Sequence, residues 1–303
     1  MFLLGLSGGR HMGNSEVLLR AALMGAKEVG DIEVELIRLW DLKVEKPLGE
    51  NARGKKQVDH ASFLNKKMKA ADGIILSCPS YALTPPGYTI NIRDRVSIRG
   101  LPTKFRPAGM IAIGGSDWTS LMLPLMYTIL PHGECKIVDQ MLINFVAPQA
   151  AVVMHDKTVA RAKKLGRNVA EAMKKPIEEA KYVSEEPWFC PMCHQNLLLI
   201  RGNQVECAIC DIRGTIAMKG GKLTVDFTKD ALQTYRWGPA GTKRHNKVIM
   251  EQMAPYKENL PEIKNRLKEY EAFLKVTRPP KQEAADIMAN MREPTMDKTL
   301  LDV

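Results

Sequence analysis

The chain has 303 residues and a mass of 33.9 kDa, enough for two domains or for one with an appendage. Hydrophobic residues at 45% and charged residues at 26% exclude disorder and collagen-like sequence as descriptions of the whole, and 6% aromatic residues argue against a broad base- or sugar-stacking surface. The formal charge of +10 is uneven: from Val183 onward 18 Lys and Arg face 16 Asp and Glu, so the remaining 26 against 18 fall in residues 1–182, which suits a phosphorylated ligand or an acidic partner.

In chain order, residues 2–6 form a short apolar run that ends in a glycine-rich loop. This start lacks a basic leader and meets two glycines early, so it is expected to be a buried strand of a cytoplasmic protein rather than a signal peptide. Residues 14–29 carry apolar side chains near helical spacing, and residues 32–39 alternate apolar and charged as a strand does. A polar loop over 43–56 precedes a helix over 57–71 and a buried strand over 73–77. The turn Thr84-Pro85-Pro86-Gly87 leads into a helix to about residue 95. Residues 107–113 form another buried strand, 118–130 an apolar helix that Pro124 is expected to bend, and 137–145 a fifth strand. Residues 156–181 read as an amphipathic helix. No run reaches the roughly 18 uninterrupted apolar residues of a membrane span.

Five β/α alternations with short buried strands predict a doubly wound parallel sheet covered on both faces. Ligands of such sheets bind at the carboxyl ends of the strands, which directs attention to the segments after residues 6, 77 and 113. Beyond residue 183 the pattern changes: residues 187–220 are short and turn-rich, 222–227 strand-like, and 240–292 mostly helical, broken by Pro255, Pro261 and Pro279-Pro280. The last ten residues are expected to be mobile. The division expected is 1–182, 183–227 and 228–303.

The first chemistry-bearing segment runs from Gly5 through Ser7, Gly8, Gly9, Arg10, His11, Met12 and Gly13 to Asn14, Ser15 and Glu16. Glycines let backbone N–H groups approach an anion, and the helix that follows adds partial positive charge. Ser7, Asn14 and Ser15 can donate to a phosphate and Arg10 can pair with it. The loop fits neither the ATP P-loop nor the G-x-G-x-x-G fingerprint.

This stretch resembles the first loop of the flavodoxin-like NAD(P)H-dependent FMN reductases and quinone reductases, G-S-P-R-x-x-x-N-[ST], although it is one residue shorter and has no proline before Arg10. Ala71-Asp72-Gly73-Ile74-Ile75-Leu76-Ser77-Cys78-Pro79-Ser80-Tyr81 is similar to that family's A-D-G-I-I-x-x-S-P-V-Y, and Ile92-Arg93-Asp94-Arg95 to its F-I-D-R. Arg106 to Trp118 looks like its K-P-x-x-x-I-x-x-G-G stretch. The resemblance covers residues 1–180 and implies a five-stranded flavodoxin-like fold that binds FMN and takes electrons from NAD(P)H. By carry-over, Pro79, Ser80, Tyr81 and Ala82 would touch the isoalloxazine ring, and Gly114, Gly115 and Ser116 would border it. Tyr81 or Asp117 would assist a proton transfer. Trp118 is read as a flavin or substrate contact or as a packing residue at a helix start. The implied acceptor is a small organic molecule, such as a quinone, an enone or a nitro compound, and the implied assembly a homodimer or homotetramer.

The last segment pairs Cys190 and Cys193 with Cys207 and Cys210. Two C-x-x-C knuckles without a secretory signal fit a tetrahedral metal site better than disulfides. The stretch resembles a zinc ribbon, with a hairpin between the knuckles. Iron remains the alternative, although His194 and Asp211 stand where rubredoxin knuckles usually place glycine. Cys78 reads either as a reactive thiol or as a small buried residue. Two other functional classes stay open: a flavin and iron electron carrier for a protein partner, and a binding protein without catalysis. The near-neutral C-terminal part speaks against nucleic acid.

Overall fold

The computed structural model describes residues 1–44, 60–95, 105–130, 135–233 and 235–273. Most of the polar loop read over 43–56, the start of the helix read from 57, the Pro279-Pro280 break and the chain end lie outside the described residues. Two compact units result, residues 1–245 and 246–303.

The first unit is built on five parallel strands: β1 (Phe2–Ser7), β2 (Glu33–Arg38), β3 (Gly73–Pro79), β4 (Arg106–Ile113) and β5 (Cys135–Ile143), in the order β2-β1-β3-β4-β5. Side chains alternate along each strand, so neighbours face opposite sides. Leu3, Ile75, Ile111 and Val138 pack under α1 (Asn14–Lys27) and α5 (Asp156–Met173). Leu4, Leu6, Ile74, Leu76 and Met110 pack on the other face under α2 (Ala61–Ala70), α3 (Gly87–Arg95) and α4 (Met122–Ile129). Burial on both faces explains why these strands read as continuous apolar runs. The expected doubly wound flavodoxin-like sheet is the one observed.

Two helices differ from expectation for local reasons. The apolar stretch from 118 becomes helical only at Met122, which places Pro124 in the first turn of α4. There its missing N–H has no intrahelical partner to lose, so proline helps to start the helix instead of bending it. Helix α5 stops at Met173, three residues before Pro176, and Ile177–Glu179 makes only one 3-10 turn.

The cysteine segment forms a second, antiparallel sheet of β6 (Leu198–Arg201), β7 (Gln204–Cys207), β8 (Arg213–Lys219) and β9 (Lys222–Phe227). Gly220 and Gly221, both with positive φ, make the two-residue turn between β8 and β9. Strand β8 was not legible in the sequence, because most of its side chains are exposed and its pairing rests on the backbone. A short helix α6 (Lys229–Gln233) follows, then α7 (Pro239–Phe273), which supplies the described part of the second unit. Among the described residues no helix is long and apolar enough to cross a membrane.

Candidate flavin and metal sites

The chain leaves β1 toward β2 on one side and returns to β3 on the other, so the loops after β1 and β3 diverge at the switch point of the sheet. Register places Ser7 beside Ser77, and Pro79 beside Ile113. The loops that follow these strand ends therefore form one rim.

The loop after β1 is seated from below. The Gly8 N–H donates to the Ser77 carbonyl at 2.7 Å, and the Tyr88 hydroxyl donates to the Gly8 carbonyl at 2.6 Å. The Ser77 hydroxyl donates to the Ser15 carbonyl at 2.8 Å, and the Gly9 N–H to the Ser7 hydroxyl at 3.3 Å. The Gly13 N–H closes a turn on the Arg10 carbonyl at 3.0 Å, with Met12 at a φ of 51°. Helix α1 starts at Asn14 with Gly13 as its cap, so no cap side chain satisfies its first-turn N–H groups among the described residues. Those groups carry the positive end of the helix dipole and suit an anion.

The fit to an FMN phosphate can be tested on side chains that are not there. A Cβ at Gly8 would lie 2.6 Å from the Cys78 sulfur and 3.0 Å from the Thr89 hydroxyl, and one at Gly9 would strike the Ser15 hydroxyl. The loop is thus packed so closely on the Cys78, Thr89 and Ser15 side chains that only glycine fits at positions 8 and 9. The fully buried Thr89 hydroxyl beneath it makes no hydrogen bond among the described residues, and Arg10, exposed above it, has no ion-pair partner among them. Ser7 and Ser15 are buried at the loop base. The residues present fit a phosphate. Asn14 is engaged otherwise: its amide donates to the Val146 and Pro148 carbonyls at 3.0 and 2.8 Å and accepts from the Val152 N–H at 3.1 Å. Its side chain ties α1 to the loop after β5.

After β3, the Ser80 N–H donates to the Ile113 carbonyl at 2.8 Å, and its hydroxyl donates to the Trp118 carbonyl. Tyr81 and Thr84 exchange backbone hydrogen bonds of 2.8 and 3.2 Å around Ala82 and Leu83, whose φ values are 47° and 75°. Two consecutive non-glycine residues in the left-handed region are costly, and such strain collects where a loop must hold a ligand. Tyr81 is 49% exposed at the rim. After β4, the Gly114 N–H donates to the Ile143 carbonyl at 2.8 Å, and its carbonyl accepts from the Val146 N–H at 3.1 Å. Gly115, Ser116, Asp117 and Trp118 stand exposed beyond it. The site residues read from the sequence thus occupy adjoining loops on one rim. Tyr88 and Thr89 were missed; their signal was the Pro85-Pro86-Gly87 turn, which sets α3 directly behind the first loop. Cys78 is wholly buried, and burial pushes its thiol up, which favours the reading as a small packing residue over that as a reactive thiol.

The four cysteine sulfurs of Cys190, Cys193, Cys207 and Cys210 lie within 4.8 Å of one another, all buried and none in a disulfide. Metal–sulfur bonds of about 2.3 Å in a tetrahedron separate the sulfurs by about 3.8 Å, and Cys193 and Cys207 stand 3.6 Å apart. Each knuckle closes through the residue after its second cysteine: the His194 N–H donates to the Cys190 carbonyl at 2.9 Å, and the Asp211 N–H to the Cys207 carbonyl at 2.8 Å. Both residues are left-handed, with φ of 55° and 64°, so they adopt the backbone that glycine would otherwise supply. His194 stacks on Tyr182 at 4.0 Å, and Asp211 faces Arg213, Arg236 and Arg244.

Residues 1–163 match the family model described as NADPH-dependent FMN reductase. "Flavone synthase cfoJ" of Aspergillus candidus is 28% identical over 271 residues, covering 76% of this chain and 82% of that protein. An iron-sulfur flavoprotein of Methanocaldococcus jannaschii is 35% identical over 123 residues, 38% of this chain and 63% of that protein. Among solved structures, one described as a flavone reductase superposes with a TM-score of 0.78 at 28% identity, covering 92% of this chain and 100% of the other.

Proposed function

This chain belongs to the NADPH-dependent FMN reductase family and is an NAD(P)H-dependent FMN oxidoreductase, and from that premise we propose that its acceptor is a planar conjugated enone of the flavone type. The observation that carries the choice is the likeness to a flavone reductase along 92% of this chain, well beyond the flavin-binding part. Quinones and nitro compounds, the other acceptors the family resemblance implies, have no comparable support.

Residues 1–182 hold the cofactor in this scheme. FMN held there would supply two-electron hydride chemistry between the nicotinamide and the substrate. The first-turn N–H groups of α1, the Ser7 and Ser15 hydroxyls and the Arg10 guanidinium hold the phosphate. The backbone of Pro79, Ser80, Tyr81 and Ala82 holds one edge of the ring, and Gly114, Gly115 and Ser116 the other. Reduction of an enone also needs a proton at the carbon next to the carbonyl. Tyr81 and Asp117, both exposed on the rim, are the side chains to which this scheme assigns that proton transfer. The module over 183–227 holds a structural zinc in this scheme: four buried cysteine sulfurs within 4.8 Å of one another suit a closed four-sulfur site.

The test uses the purified, FMN-loaded protein without oxygen. NADPH or NADH is expected to bleach the visible flavin spectrum, and flavone to restore it with a product heavier by two hydrogens. Re-oxidation by quinones or nitroarenes but not by flavone overturns the enone assignment. Metal analysis is expected to give one zinc per chain, whereas iron–thiolate colour would turn the assignment to electron transfer.

A further inference from the structure

The described part of the second unit is the stretch of α7 from Asn246 to Phe273. Its apolar residues Ile249, Met253, Tyr256, Leu260, Ile263, Leu267 and Tyr270 follow one another at alternating steps of four and three. The step continues in the sequence to Leu274, outside the described residues. This is the 3.5-residue repeat of a coiled-coil seam, sustained over three heptads. Leu260 and Ile263 are half-buried, while the others are exposed, Ile249 by 48% and Tyr270 by 72%. Within the described residues of this unit nothing covers the seam.

Both prolines of α7, Pro255 and Pro261, lie off the seam. With Met253, Leu260 and Leu267 at heptad position a, they fall at the outward positions c and b. Proline lacks an N–H and crowds the carbonyl four residues back, which opens the helix on its own side.

We propose that copies of this chain assemble through α7 into a parallel coiled coil of more than two helices. Self-association is argued from the flanking charges and from the seam itself. In a parallel, in-register arrangement each g position meets the e position five residues on in the next copy. Arg266 then meets Glu271, while Gln252 meets Lys257 and Asn259 meets Lys264, so no like charges oppose. An antiparallel arrangement about the same centre sets Lys257 against Lys264. Leucine at two a positions (Leu260, Leu267) with isoleucine at two of the four d positions (Ile249, Ile263, the others being Tyr256 and Tyr270) favours three or four strands over two.

Light scattering of the full-length, FMN-loaded chain at micromolar concentration is expected to give a trimer or tetramer. The double variant Leu260→Glu/Leu267→Glu is expected to lower the mass at least twofold, with flavin content per chain and bleaching by NADPH unchanged. A monomeric or dimeric wild type, or a mass the double variant leaves unchanged, overturns the proposal. Independently, Tyr270→Cys is expected to cross-link copies under mild oxidation, since only a parallel bundle brings residue 270 to its own counterpart. Absence of that cross-link overturns the parallel arrangement.

Discussion

Glu16 shows how one side chain serves the loop above it. It is wholly buried in the first turn of α1, yet charged: Arg20 lies 2.8 Å away and Arg38 2.7 Å. Burial pushes its carboxyl up, and the two guanidinium groups outweigh that, leaving it below the usual glutamate value near 4.5. A carboxyl whose folded value is lowered stabilises the fold above its unfolded value, and this is lost as pH falls through the folded value. Denaturant midpoints are therefore expected to drop as pH falls below the usual glutamate value near 4.5, and Glu16→Gln to remove part of that drop. Glu16→Ala at neutral pH is expected to cost about 3 kcal/mol, because the mostly buried Arg38 loses its main partner. Arg10 is the opposite case, exposed and with no ion-pair partner among the described residues. If it holds the phosphate, Arg10→Ala weakens FMN binding about tenfold or more with little change in melting temperature, a combination fluorescence titration beside thermal unfolding will detect.

At the scale of elements, α1 and α5 meet backbone to backbone on the face of the sheet opposite α4. A Cβ at Gly166 would strike the Ala22 carbonyl, and one at Gly25 the Lys163 carbonyl. Neither obstacle can move without shifting a helix. Gly166→Ala is expected to destabilise by about 3 kcal/mol, at the upper end of overpacking costs, although alanine is the better helix former. A stable variant with an unchanged denaturant midpoint would refute the close approach. The parallel sheet was legible because strands buried on both faces leave unbroken apolar runs, and Leu3 with Leu4 or Ile74 with Ile75 serve both cores at once. The rim was legible as glycine, serine and proline at strand ends. What stayed hidden depends on contact between distant segments. Asn14 reads as a phosphate donor until Val146, Pro148 and Val152 are found around it, 132 to 138 residues away. The Pro85-Pro86-Gly87 turn announces α3, but that α3 sets Thr89 beneath the first loop follows only from the fold. The crossing of Gly25 and Gly166 is likewise a matter of two helices that only the fold brings together.

At the scale of the molecule, the cysteine module is not an appendage. Cys190, Cys193, Cys207 and Cys210 share one buried cluster with Met110, Tyr127, Leu130 and Ile137 from the flavin-bearing sheet and its helix α4. A polar seam doubles the connection. The amide of buried Gln140 on β5 donates to the Tyr182 hydroxyl at 2.8 Å and to the His194 carbonyl at 2.9 Å. Gln195 donates back to it at 3.0 Å and to the Cys193 carbonyl at 3.1 Å. The strand that carries Gln140 ends at Ile143, whose carbonyl anchors Gly114 on the rim. The binding free energy of a metal held by these cysteines would therefore be folding free energy for the whole first unit, and not for a separable finger. Removal of the metal by a strong chelator, or Cys207→Ser, is expected to lower the melting temperature of the holoprotein by several degrees. One cooperative transition should remain, with FMN fluorescence released at the same midpoint as far-ultraviolet ellipticity is lost. An independent module would behave differently: it would melt first in its own transition and leave the flavin bound and reducible by NADPH. Four buried cysteines fused to the sheet's own core leave no boundary along which such a first transition could run.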